Sequence, residues 1–179
     1  LPNRGAVVRR ITTKEVREVC QVRRALEVEA ARSACGRTDL AALHALADDL
    51  RRLGKAPAGP RFIAEARAVD SRLHDLVADS CGNAFLAQEI GRLKSLFRVF
   101  RDVAWEHDAA CNDYHRLAEE SREHLAIVEA LLAGDAKAAG RAMARHIRSG
   151  LRYWSRAMPG EGEKGSNGQR EVRRNGQDK

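Results

Sequence analysis

Six stretches of this sequence repeat apolar residues at intervals of three and four, and turn-forming residues interrupt the pattern between them. That spacing matches the α-helical turn and not the alternation of a strand, so each stretch is confined to a helix that buries one face. In the first, Thr12-Thr13-Lys14-Glu15 fits a capping box, Val16, Val19, Val22/Arg23, Leu26 and Ala30 form the stripe, and Gly36 stops a helix ending near Ala34. Thr38 or Asp39 caps a second helix carrying Leu40, Leu43, Leu46/Ala47, Leu50 and Leu53, and Gly54 to Pro60 reads as a loop. A third helix is expected from about Arg61 to Ser80, ended by Cys81-Gly82-Asn83. The fourth should span Ala84 to about Glu106, with Leu86, Ile90, Leu93, Leu96/Phe97, Phe100 and Val103 inward. A fifth is expected from about Ala109 to Leu132, and Gly134-Asp135 separates it from a sixth, Ala136 to about Met158.

Composition agrees with an all-α chain, since aromatic residues are only 4% and Ala, Leu, Arg and Glu dominate. Six helices with short connections make an antiparallel bundle the economical architecture. The expected organisation is a helical domain over 12–158, a lead-in segment over 1–11 whose Arg4 to Ile11 has the only strand character, and a disordered tail over 159–179. The chain begins without Met and reads as a fragment. No apolar run approaches the roughly 20 residues a transmembrane helix requires, and no signal-peptide layout opens the chain. Cys20, Cys35, Cys81 and Cys111 form no CxxC pair, which suits reduced, mostly buried thiols in a cytoplasmic protein. The net charge of +7 is spread among both signs, so the helices read as a mixed solvated surface rather than a nucleic-acid groove.

Candidate chemistry lies in the histidines. Asp70 and His74 are four apart on one expected helix, which puts both side chains on one face at a spacing that can chelate a metal. His124 and His146 stand equally far from Asp135, so a helical hairpin folded there brings them to one level, both on inward stripes. If the third helix packs on this hairpin, three imidazoles and one carboxylate share a cavity. Such a set suits a divalent metal ion such as Zn, Ni, Mn or Fe. With four protein ligands an octahedral ion keeps two open positions, for which a small carboxylate is the natural guest.

The run Val69-Asp70-Ser71-Arg72-Leu73-His74, continued by Ser80-Cys81-Gly82-Asn83-Ala84-Phe85-Leu86, resembles the first signature of FadR-like regulators in the GntR family. Glu123-His124-Leu125-Ala126-Ile127, Gly134-Asp135 and Met143-x-x-His146-Ile147 resemble the second signature of their C-terminal ligand-binding (FCD) domain, and Val22-Arg23-x-x-Leu26-Glu27 is similar to its opening helix motif. The resemblance implies that Asp70, His74, His124 and His146 bind a metal whose coordination a small organic acid completes, and that Arg23 forks onto the effector carboxylate. It further implies a homodimer, no catalytic activity, and DNA binding through a winged helix-turn-helix, whose last strand Asn3 to Val8 resembles. Leu73 and Ala84 depart from the family pattern, which has an aromatic residue and a proline at these positions.

Two other readings compete. His74-Asp75 and His107-Asp108 are His-Asp doublets of the kind used by helical metal-dependent phosphohydrolases. A ligand-free helical dimerisation module would account for the stripes, but it leaves three inward histidines and Asp70 unexplained.

Overall fold

The computed structural model describes residues 12–56, 59, 62–111 and 114–157. The expected lead-in segment over 1–11 and the expected tail over 159–179 lie outside these residues. Six helices follow one another: α1 (Thr13–Ala34), α2 (Leu40–Lys55), α3 (Ile63–Ser80), α4 (Ala84–Ala110), α5 (His115–Leu132) and α6 (Ala136–Ala157). The described residues contain no strand, and the fold is all-α.

Local chemistry sets most boundaries. Thr12 and Glu15 form the expected capping box. Asp39 rather than Thr38 caps α2, accepting from the Ala42 amide at 2.7 Å. Thr38 instead donates to the Ala34 carbonyl at 2.9 Å. Asn83 caps α4 by accepting from the Leu86 amide at 3.1 Å, while Gly82 turns the chain with φ +71°. Ala84 is therefore the first residue of a helix, where a backbone amide needs no helical partner, so exchanging proline for alanine there removes nothing the helix depends on.

Two boundaries shift from expectation. The fourth helix continues to Ala110, and the fifth begins only at His115. No glycine or proline lies between Val103 and Tyr114, so the good helix formers Ala109 and Ala110 extend α4 instead of opening α5. Likewise Gly54 lies inside α2, which ends at Lys55.

The pairs α2–α5, α3–α4, α5–α6 and α1–α6 run antiparallel. Arg51 and Glu129 pair at 3.4 Å across α2 and α5, Arg67 meets Asp102 at 3.1 Å across α3 and α4, and Arg116 meets Ser149 at 2.9 Å across α5 and α6. α1 packs most extensively on α6. The Arg32 side chain lies against the Gly140 backbone at one end of this pair, where a Cβ would fall 2.7 Å from Arg32 Nε. Towards the other end Arg23 stands 5.5 Å from the Trp154 ring.

Leu43, Leu50, Leu73, Ile127, Met143 and Ile147 are among the fully buried side chains of one core. On α6 the expected stripe is the buried one, including Ala139, Met143, His146, Ile147 and Trp154. On α1 it is rotated. Cys20, Arg23 and Glu27 are buried, whereas Val22 is half exposed. On α4, Leu96 and Val103 face solvent while Arg101 and Trp105 turn inward. The four cysteines are free, with Cys20 and Cys81 buried, Cys35 partly buried and Cys111 exposed. Among the described residues no helix is long and apolar enough to cross a membrane.

Candidate metal centre

The fold brings Asp70, His74, His124 and His146 together in its interior. All four are at least 95% buried, and one ligand atom from each lies within 4.8 Å of the other three. α3 supplies Asp70 and His74 one turn apart, and the α5–α6 hairpin supplies His124 and His146 at one level. His124 Nε2 is 3.3 Å from His146 Nε2 and 3.6 Å from Asp70 Oδ1, and Asp70 Oδ1 is 3.7 Å from His74 Nε2.

These separations fit a first-row divalent ion. Bond lengths of about 2.0–2.2 Å put neighbouring ligand atoms about 3.0–3.5 Å apart and opposite ones just over about 4 Å apart. Small closing movements of the side chains would complete such a shell. Burial and charge also hold Asp70, His124 and His146 in the deprotonated form that a metal takes. Burial drives the His146 imidazole down to about 4 against the pull of Glu123. Burial and then the neighbouring His146 drive His124 well below its usual range. Burial would raise Asp70, but His74, Arg101 and Arg23 outweigh it and hold the carboxyl below its usual value.

A shell of charged residues orients these groups. His74 Nδ1 lies 2.5 Å from Glu27 Oε2, and His146 Nδ1 lies 3.1 Å from Glu123 Oε2. Each contact favours the proton on Nδ1 and leaves an Nε2 lone pair facing the centre. Arg101 donates to the second oxygen of Asp70. Arg116 holds Glu123 with two hydrogen bonds of 3.0 Å.

Arg23 reaches the same centre. Its guanidinium is 98% buried, pairs with Glu27 at 2.5 Å and lies 3.0 Å from His74 Nε2. It therefore hydrogen-bonds the lone pair that a metal would need. The Phe97 ring lies 4.1 Å from the guanidinium carbon.

Asp70, His74, His124 and His146, expected to share a cavity, do converge, with Arg23 beside them, whereas Glu27, Arg101, Arg116, Glu120 and Glu123 were not expected there. The available signal was spacing. Arg23 and Glu27 are four apart, as are Arg116 and Glu120, so either pair can enter a core as a unit. The His-Asp doublets do not join the cluster. Asp75 is half exposed and pairs with Lys94, and His107 is exposed near the end of α4, 3.4 Å from Asp108.

The comparisons agree with this architecture. The FCD domain model matches residues 18–149. The metal-free FCD domain of TM0439, a candidate transcriptional regulator, superposes with a TM-score of 0.63 at 18% identity, covering 86% of this chain and 97% of that one. At that identity the likeness shows the fold alone. No curated protein matches the chain. The family match runs over most of the chain and spans Asp70, His74, His124, His146 and Arg23, and on that extent the chain belongs to the FCD domain family.

Proposed function

We propose that this chain is the effector-sensing and dimerisation domain of a FadR-like, GntR-family transcription regulator of the cytoplasm. In this reading Asp70, His74, His124 and His146 hold a divalent metal ion, of which Zn, Ni, Mn and Fe suit the donor set, and a small organic acid is the effector. The observation that carries it is the convergence of three imidazoles and a carboxylate, all buried, around one point. A purely structural core gains little from this arrangement, because the desolvation of so many buried charged and polar groups is at best roughly balanced by their pairing.

Bound there, the ion would offer open coordination positions to a carboxylate. The chain's own residues do the rest. Glu27 and Glu123 fix the ring orientations of His74 and His146. Arg101 holds Asp70 with one oxygen turned inward. Arg23, released from His74 Nε2, is placed to fork onto the acid from α1, and the Phe97 and Trp154 rings keep water from its back. An acid held between Arg23 and the ligand helices draws α1 towards α3, α5 and α6. In a homodimer such a shift changes the spacing of two DNA-binding domains carried elsewhere in the regulator. This reading requires no catalytic turnover.

The test is elemental analysis of protein purified without chelator, beside His124→Ala, followed by a melting screen of small organic acids with and without metal. The expected result is near-stoichiometric metal that the variant loses, and stabilisation by one acid only when metal is present. Absence of metal from both proteins after reconstitution would overturn the four-ligand assignment.

A further inference from the structure

A second concave site lies away from the four ligand atoms. The last turns of α4 and α6 and the start of α5 enclose a cavity of about 450 Å³, open to solvent. This is the volume of a small-molecule site. It lies at the end of the bundle where α1 begins, because α1 and α6 run antiparallel, with Arg32 beside Gly140 at the opposite end.

Its lining is rich in cations. Arg152 and Arg156 stand one helical turn apart on α6, both exposed, and Arg116 lies beneath them, 94% buried. Among the described residues neither Arg152 nor Arg156 has an ion-pair or hydrogen-bond partner. Some exposed arginines are held by a carboxylate, as Arg51 is by Asp48, Arg52 by Asp49 and Arg92 by Glu89; what sets Arg152 and Arg156 apart is that they share a concave wall. The carboxylates that line the cavity are already engaged. Asp108 accepts from the Tyr153 hydroxyl at 2.6 Å, and Glu119 lies 3.7 Å from Arg116. Two guanidiniums with no partner among the described residues, side by side on a concave wall, concentrate positive potential, and their planar forks match carboxylate or phosphate oxygens.

The cavity wall is connected to the centre. Arg116 donates to both oxygens of Glu123 at 3.0 Å and to Ser149 at 2.9 Å, and Glu123 Oε2 in turn faces His146 Nδ1 at 3.1 Å. A ligand that draws Arg116 outward leaves the Glu123 charge less neutralised. Glu123 then accepts more strongly from His146, and the imidazole becomes a better ligand.

We propose that this cavity binds a small multivalent anion, a phosphate or a polycarboxylate, through Arg152 and Arg156 with Arg116 beneath them, and that Glu123 relays its occupancy to His146. The anion site stands on its own geometry, whereas the coupling rests on the reading that His146 is a metal ligand.

The experiment is calorimetric titration of chelator-treated protein with inorganic phosphate and with tricarballylate at constant ionic strength, beside the Arg152→Ala/Arg156→Ala double variant. Both substitutions are at exposed positions, and the helical circular dichroism spectrum checks that the variant is folded. One saturable site, weakened at least tenfold in the variant, is expected. Saturation by phosphate alone assigns a phosphate ligand, and saturation by tricarballylate alone assigns a carboxylate. Equal binding by both proteins, or heats that never saturate, overturns the site. Repeating the titration on metal-loaded protein freed of excess metal should tighten anion binding severalfold, by reciprocity of linkage. Equal affinities in the two forms overturn the coupling. Failure to load metal also removes the coupling, while the anion site still stands or falls on the double variant.

Discussion

Arg23 and Glu27 form a buried ion pair at the heart of the bundle, with His74 against both. Breaking such a pair from one side leaves a charge with no adequate partner. Arg23→Met should therefore destabilise the protein by about 3 kcal/mol, read from the midpoint of urea unfolding. The buried titrating groups also set a pH dependence for the metal-free protein. His146, at about 4, and His124, well below 6.5, bind fewer protons folded than unfolded. Their contribution is full above about pH 6.5 and is lost as pH falls towards 4. Glu120 has the opposite sign. Burial raises it to about 7 from 4.5, so its contribution is full below 4.5 and is lost as pH rises through 7. Two groups oppose one, and stability should fall between pH 7 and 5. Glu120→Gln should enlarge that fall by about 2 kcal/mol in urea melts at the two pH values, because the opposing contribution is gone. A shallower fall in the variant would contradict the assignment.

At the scale of elements, the turns are the easiest features to check. Asp135 caps α6 by accepting from the Ala138 amide at 2.8 Å, and Gly134 before it has φ +66°. Asp135→Ala should cost about 1 kcal/mol, a fall of about 2–4 °C in melting temperature for a chain of this size. Helix α4 leaves Phe85, Leu96, Val99 and Val103 exposed, the last three on one face. If the proposed homodimer forms, this face is the apolar surface open to it. The unmodified chain should then scatter light as a dimer, and Leu96→Glu/Val99→Glu as a monomer. The six helices were legible in the sequence because caps and glycine turns are local signals. The facing of α1 and α4 was less so, because an apolar stripe can be read only where apolar residues alone are buried. Val16, Ala30, Ile90, Phe97 and Phe100 of the expected stripes are buried, but Glu27 and Arg101 go inside and Val22, Leu96 and Val103 stay out, so hydropathy misplaces the edges of each face. The convergence of the three histidines and Asp70 was legible from the four-residue spacing of Asp70 and His74 and the symmetry of His124 and His146 about one turn. The glutamates behind them were not, since a glutamate on a helix is ordinarily a solvated one.

At the scale of the whole molecule, Asp70, His74, His124 and His146 come from two regions of chain, α3 and the α5–α6 hairpin, with all of α4 between them. The hairpin closes around the short Gly134-Asp135 turn, whereas joining α3 to it requires a much longer loop. An ion bridging the two would act as a removable staple, restricting the unfolded chain as a disulfide does while remaining open to chelation. The part of the molecule that senses a ligand would then also govern how readily α3 separates from the hairpin. Stripping the ion should speed amide exchange along α3 more than across the α5–α6 turn, and a protease should cut the stripped form first in the connections that flank α3.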